Sequence, residues 1–195
     1  MSDRLRIPGS RDVRATRDGP DDAETLVVAC PPHPQMGGSR TDSRLTAVGD
    51  ALTKHDIATL RFDYGPWGEG RGEVDDAVAA VEWARDRYDL VALFGYSFGG
   101  GVALLAALET GPYAVSVLAP HAAVGDRDAT GAVASIKCPL QVVYGERDDT
   151  AEWQAIVEAA RDAGGTVEGF GADHFFVGQR ARAAERVATW LTERL

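Results

Sequence analysis

Residues 91–108 read VALFGYSFGGGVALLAAL. An apolar run of strand length leads through Gly95 and Tyr96 to Ser97. After Phe98 come three consecutive glycines, then apolar residues as far as Leu108, and soon afterwards Gly111-Pro112, a pair that stops helices. The stretch therefore predicts a buried strand over residues 90–96 and a helix over 98–110, joined by one residue. Two readings of Ser97 fit. The glycines let a helix lie close against a sheet, or they allow a tight turn that holds the serine at its tip as a nucleophile. The pattern Gly95-Tyr96-Ser97-Phe98-Gly99 is G-x-S-x-G in the strand–turn–helix context that the second reading requires. The Phe98 amide would then open the helix, where the dipole favours negative charge.

Outward from this stretch, strands and helices alternate. Strands are predicted over 25–29, 57–64, 113–119, 140–144 and 166–170. Helices are predicted over 44–55, 73–87, 153–163 and 181–195. Residues 121–137 read as irregular, and residues 1–24 as a source of one or two antiparallel edge strands. This alternation predicts an α/β fold: one domain over residues 1–195, with a mostly parallel central sheet covered by helices on both faces. No insertion is long enough for a lid domain. In such sheets the site lies in loops beyond the carboxyl ends of the strands.

Composition narrows the function classes. Thirty acidic residues oppose twenty basic ones, a net charge of -10, which disfavours nucleic acid or an anionic membrane as partner. Only Lys54 and Lys137 are lysines. Acid-rich, lysine-poor and alanine-rich, the chain resembles proteins of salt-loving organisms, in which dense salt screens self-repulsion. The N-terminus lacks the apolar stretch of a signal peptide, so a cytoplasmic location is expected. Cys30 and Cys138 form no disulfide framework, the four histidines lack metal-ligand spacing, and neither GxGxxG nor GxxxxGK[ST] occurs. No metal and no cofactor are expected.

The candidate loops hold the chemistry. A serine hydroxyl needs a base. His174, in GFGADHFFVG between the last strand and the last helix, is the best placed, ahead of His33, His55 and His121. That base needs a carboxylate to hold its tautomer. In QVVYGERDDT, Asp148 stands three residues past the strand-ending glycine and is preferred, with Asp149 as alternative. The order Ser97, acid, His174 is that of one hydrolase fold. An oxyanion would be held by the Phe98 N–H and by a second backbone N–H from PPHPQMGGS, at Gln35 or Met36. His33, Tyr64, Trp67 and Phe175 are expected to wall the substrate site together with Phe98, whereas Phe176 reads as core.

Glycine-flanked Ser97, HPQMGG, YGERDD and GADHFF together resemble the α/β-hydrolase superfamily, in particular its small, lidless, dienelactone-hydrolase-like branch. ATLRFDY followed by a glycine-rich loop is similar to that branch as well, and the resemblance covers residues 25–195. It implies a serine esterase-type hydrolase with the triad Ser97, Asp148 and His174. The chain departs from the branch's pattern in a shortened glycine loop (GPWGEGRGE), in Asp42 where asparagine is expected, and in serine at position 97, where the namesake lactone hydrolases carry cysteine. The resemblance thus implies cleavage of a small ester, thioester or lactone rather than of dienelactone itself. Acyl transfer by the same residues and a non-catalytic binding protein on the same fold are the competing readings. The expected partner is a small acyl substrate.

Overall fold

The structure is a computed structural model that describes residues 2–9, 11 and 13–195. Strands β1 (Ser2–Ile7) and β2 (Val13–Asp18) form an antiparallel hairpin. After it come β3 (Thr25–Cys30), a 3-10 turn at Pro34–Met36, α1 (Ser43–Thr53), β4 (Ala58–Asp63), α2 (Arg71–Arg85) and β5 (Leu90–Tyr96). The chain continues with α3 (Phe98–Thr110), β6 (Val115–Leu118), a small hairpin of β7 (Ala123–Val124) and β8 (Arg127–Asp128), and α4 (Ala129–Val133). It closes with β9 (Leu140–Gly145), α5 (Trp153–Asp162), β10 (Thr166–Phe170) and α6 (Arg180–Thr192).

Eight strands make one sheet in the order β1-β2-β4-β3-β5-β6-β9-β10. The β1–β2 and β2–β4 pairs are antiparallel, and all the others are parallel. Apolar side chains leave both faces of the central strands, as a sheet covered twice requires. Leu26, Val28 and Cys30 of β3 join one core with α2, α3, α4 and α5, whereas Val27 and Ala29 join the other with α1 and α6. From β3 the chain moves to β4 on one side and then to β5 on the other. The carboxyl ends of β3 and β5 therefore flank a switch point, where doubly covered sheets open a crevice.

Residues 121–137, expected to be irregular, instead carry the β7–β8 hairpin and α4. Gly125 makes the turn at φ 62°, and the Asp128 carboxylate caps α4 by accepting the Gly131 N–H at 3.0 Å. Two-residue strands and a five-residue helix are shorter than the windows over which a repeating apolar pattern can be read, so they left no pattern. Helix α2 begins two residues before its expected start. The buried Glu73 carboxylate accepts the Gly70 N–H at 2.8 Å, which holds the first turn. Among the described residues no helix is long and apolar enough to cross a membrane.

Candidate active site

Ser97 occupies the single residue between β5 and α3 with φ 59° and ψ -124°, a region that L-residues enter at a cost of about 1–3 kcal/mol. The surroundings hold it there. Its N–H donates to the Leu118 carbonyl at 2.9 Å, and its own carbonyl accepts from Gly100 at 2.8 Å and His121 at 3.2 Å. Glycine at positions 95 and 99 is a matter of close approach. A Cβ on Gly95 would fall 2.1 Å from the Gly99 carbonyl oxygen, and one on Gly99 would fall 2.2 Å from that of Cys30. The packing role of the glycines and the turn that carries the serine at its tip are thus the same structure. Phe98 opens α3, so its N–H belongs to the first turn, which has no intrahelical acceptor.

Three loops bring three side chains into one line. The Ser97 hydroxyl lies 2.9 Å from His174 Nε2, after β10, and His174 Nδ1 lies 2.8 Å from Asp148 Oδ2, after β9. All three residues are buried. The other Asp148 oxygen accepts the N–H groups of Thr150 at 2.9 Å and Ala151 at 3.0 Å, which aims the carboxylate. Asp149, the alternative acid, is exposed to solvent. Tyr96 adds a further restraint, its hydroxyl donating to the His174 carbonyl at 3.1 Å.

Ser97, His174 and Tyr96 lie along a cleft of about 670 Å³, with Asp148 behind His174. His33, Trp67 and Phe98 form one wall, with His33 4.7 Å from the Trp67 ring and 4.6 Å from the Phe98 ring between centroids. Phe175 stands half exposed beside His174. Tyr64 is set one layer back. It meets Phe98 edge-on at 6.0 Å and donates its hydroxyl to the Pro31 carbonyl at 3.0 Å. Phe176 is fully buried in the core. The two amides expected as the second oxyanion donor are both turned inward. Gln35 N–H reaches His33 Nδ1 at 3.3 Å, and Met36 N–H reaches the His33 carbonyl at 3.0 Å.

Several cleft residues lay outside the sequence expectation, namely Asp42, Arg44, Tyr96, Thr150 and His121. Arg44 pairs with Asp42 at 2.6 Å and lays its guanidinium 4.5 Å over the Tyr96 ring. His121, set aside as a base, faces His174 with ring centroids 5.9 Å apart. Its position in the loop after β6 was the signal that it borders the site. Burial lowers its pKa below the ordinary 6.5, and the neighbouring His174 adds to that, against the carboxylates of Asp148 and Glu152. Burial also lowers the pKa of His33, with Glu73 opposing.

The same architecture recurs in solved structures. An α/β serine hydrolase homologue from Coxiella burnetii superposes with a TM-score of 0.84 at 23% identity, over 97% of each chain. A serine hydrolase without a lid from Xanthomonas campestris has a TM-score of 0.79 and 26% identity, over 97% of this chain and 94% of that one. An esterase from Pyrococcus furiosus has a TM-score of 0.81 and 18% identity, over 100% and 91%. No curated protein matches the chain significantly. The sequence profile of the dienelactone hydrolase family matches residues 50–191, well over half of the chain and the part that contains Ser97, Asp148 and His174. By that match the chain belongs to the dienelactone hydrolase family, and with it to the α/β hydrolases that act on ester bonds.

Proposed function

We propose that the chain is a serine esterase that cleaves a small carboxylic ester, thioester or lactone through an acyl-enzyme on Ser97. The observation that carries this reading is the unbroken hydrogen-bonded line Ser97–His174–Asp148, which runs from the cleft into the protein behind it. The Asp148 carboxylate accepts a hydrogen bond from His174 Nδ1–H, which leaves Nε2 as the acceptor for the serine hydroxyl. Ser97 Oγ attacks the carbonyl carbon while its proton passes to Nε2. The oxyanion rests on the Phe98 N–H and on a second donor from the 33–36 turn. Of the two candidates there, Gln35 is held by the longer bond, 3.3 Å against 3.0 Å, and is the one released more cheaply. Collapse of the intermediate breaks the ester bond, and His174 gives its proton to the departing alcohol. Water then repeats the sequence, releasing the acid and restoring Ser97.

The experiment is Ser97→Ala, with fold verified by circular dichroism. Turnover of p-nitrophenyl acetate and labelling by a fluorophosphonate should both disappear. Undiminished labelling of the folded variant would exclude Ser97 as the nucleophile. Product analysis with added alcohol separates hydrolysis from acyl transfer to an acceptor other than water. A folded wild-type protein that resists the label would point to a binding protein.

A further inference from the structure

Arg11, in the turn between β1 and β2, does not line the cleft, yet it is bound to the loop that forms one wall of it. Its Nε donates to Asp76 Oδ1 at 2.8 Å, and Nη2 donates to Glu73 Oε1 at 3.3 Å and to the Pro66 carbonyl. Both carboxylates are buried, and each also grips the loop directly. Asp76 accepts the Gly65 N–H at 2.8 Å, and Glu73 accepts those of Gly68 at 2.9 Å and Gly70 at 2.8 Å. Residues on either side of Trp67 are therefore tied to one cluster, Pro66 through its carbonyl and Gly68 through its amide.

The glycines of this loop follow from the same cluster. A Cβ on Gly72 would fall 1.9 Å from Arg11 Nη1, and one on Gly68 2.6 Å from the same atom. The guanidinium cannot swing aside without leaving two buried carboxylates facing each other, so these positions must stay bare. What the cluster holds is not core. Trp67 is 36% exposed and touches His33 and Phe98 in the cleft, so burial alone does not explain a scaffold that converges on its two neighbours.

We propose that Arg11 is a positioning residue for substrate selection: it fixes the Trp67 indole as the wall against which a flat, aromatic or conjugated part of the ester lies. This rests on the ester-hydrolase reading of the cleft. Three rings whose centroids lie within 6 Å of one another offer offset and edge contacts to a planar group, which a saturated chain cannot use equally.

The test compares wild type, Arg11→Gln, Arg11→Lys, Trp67→Ala and the Arg11→Gln/Trp67→Ala pair on methyl cinnamate, phenyl acetate and methyl butyrate. Arg11→Gln should raise KM for one flat ester about five- to tenfold, leaving methyl butyrate within about twofold. Whether methyl cinnamate or phenyl acetate responds tells on which side of the ester bond the wall lies. Trp67→Ala should match that loss, and the double variant should add nothing to it. Arg11→Lys keeps the charge without the planar fork and should recover part of the preference. Independently of turnover, the amides of Gly65, Gly68 and Gly70 should exchange hydrogen faster in Arg11→Gln, with exchange in the β5–α3 region unchanged. Equal losses on all three esters, additive effects in the double variant, or unaltered exchange would each overturn the proposal. Fluorophosphonate labelling of wild type separates the two failures: a labelled protein without the preference rejects only the role of Arg11, and an unlabelled one rejects the hydrolase reading beneath it.

Discussion

Tyr96 and His174 are joined twice: the tyrosine hydroxyl donates to the histidine carbonyl at 3.1 Å, and the two rings lie 5.5 Å apart. The residue before the proposed nucleophile thus carries the loop that presents the proposed base. Tyr96→Phe removes that bond and leaves a buried carbonyl without its donor. Denaturant unfolding should show a loss of about 1–2 kcal/mol. A kcat about three- to tenfold lower at unchanged KM is expected, because the imidazole is misplaced rather than removed.

Asp148 and Asp149 are adjacent and chemically identical, so their asparagine variants isolate position. Asp148→Asn should lower kcat on the order of 10⁴-fold, since an amide facing Nδ1 favours the wrong tautomer. Asp149→Asn, at an exposed side chain, should leave kcat within about twofold. Comparable losses in both would remove Asp148 from its assigned role.

Gly99→Ala tests whether the close approach of α3 is obligatory. The added methyl would lie 2.2 Å from the Cys30 carbonyl oxygen and 2.4 Å from that of Pro31, both backbone atoms at the carboxyl end of β3. A destabilisation of about 3 kcal/mol or more is expected in a urea titration. A neutral result would mean that α3 can retreat from the sheet.

The pKa values of His121 and His33 are both lowered from 6.5, in each case chiefly by burial. The unfolded chain then binds more protons than the folded one as pH falls below about 6.5. Stability contributed by the neutral rings is therefore complete above that pH and is lost as pH drops toward their folded values. Melting temperature should fall between pH 7 and pH 5, and His121→Gln should flatten the slope. An unchanged slope would show that His121 takes up its proton without cost to the fold.

A net charge of -10 on 195 residues sets the response to salt. Screening shortens the reach of self-repulsion from roughly 10 Å at 0.1 M to about 3 Å at 1 M. Melting in molar potassium chloride should occur about 3 °C or more above that in dilute buffer, the shift that roughly 1 kcal/mol produces in a chain of this size. Equal melting temperatures would assign the composition no stabilising role in salt.

By itself the sequence determined the alternation of buried strands and helices, the place of Ser97 at a strand–helix joint, and the loops after β9 and β10 that carry Asp148 and His174. Those features are written in local periodicity and in glycine and proline punctuation, which neighbours in the chain suffice to encode. Only the tertiary structure decided the rest. Spacing from Gly145 only favoured Asp148, whereas burial and two amide donors separate it from Asp149. The fold of the 33–36 turn directs the Gln35 and Met36 amides toward His33, and the packing of Phe98 leaves Tyr64 in the second layer. Gly65, Gly68 and Gly72 of GPWGEGRG leave no periodic trace because what they accommodate is Arg11, whose partners Glu73 and Asp76 lie 62 and 65 residues away along the chain.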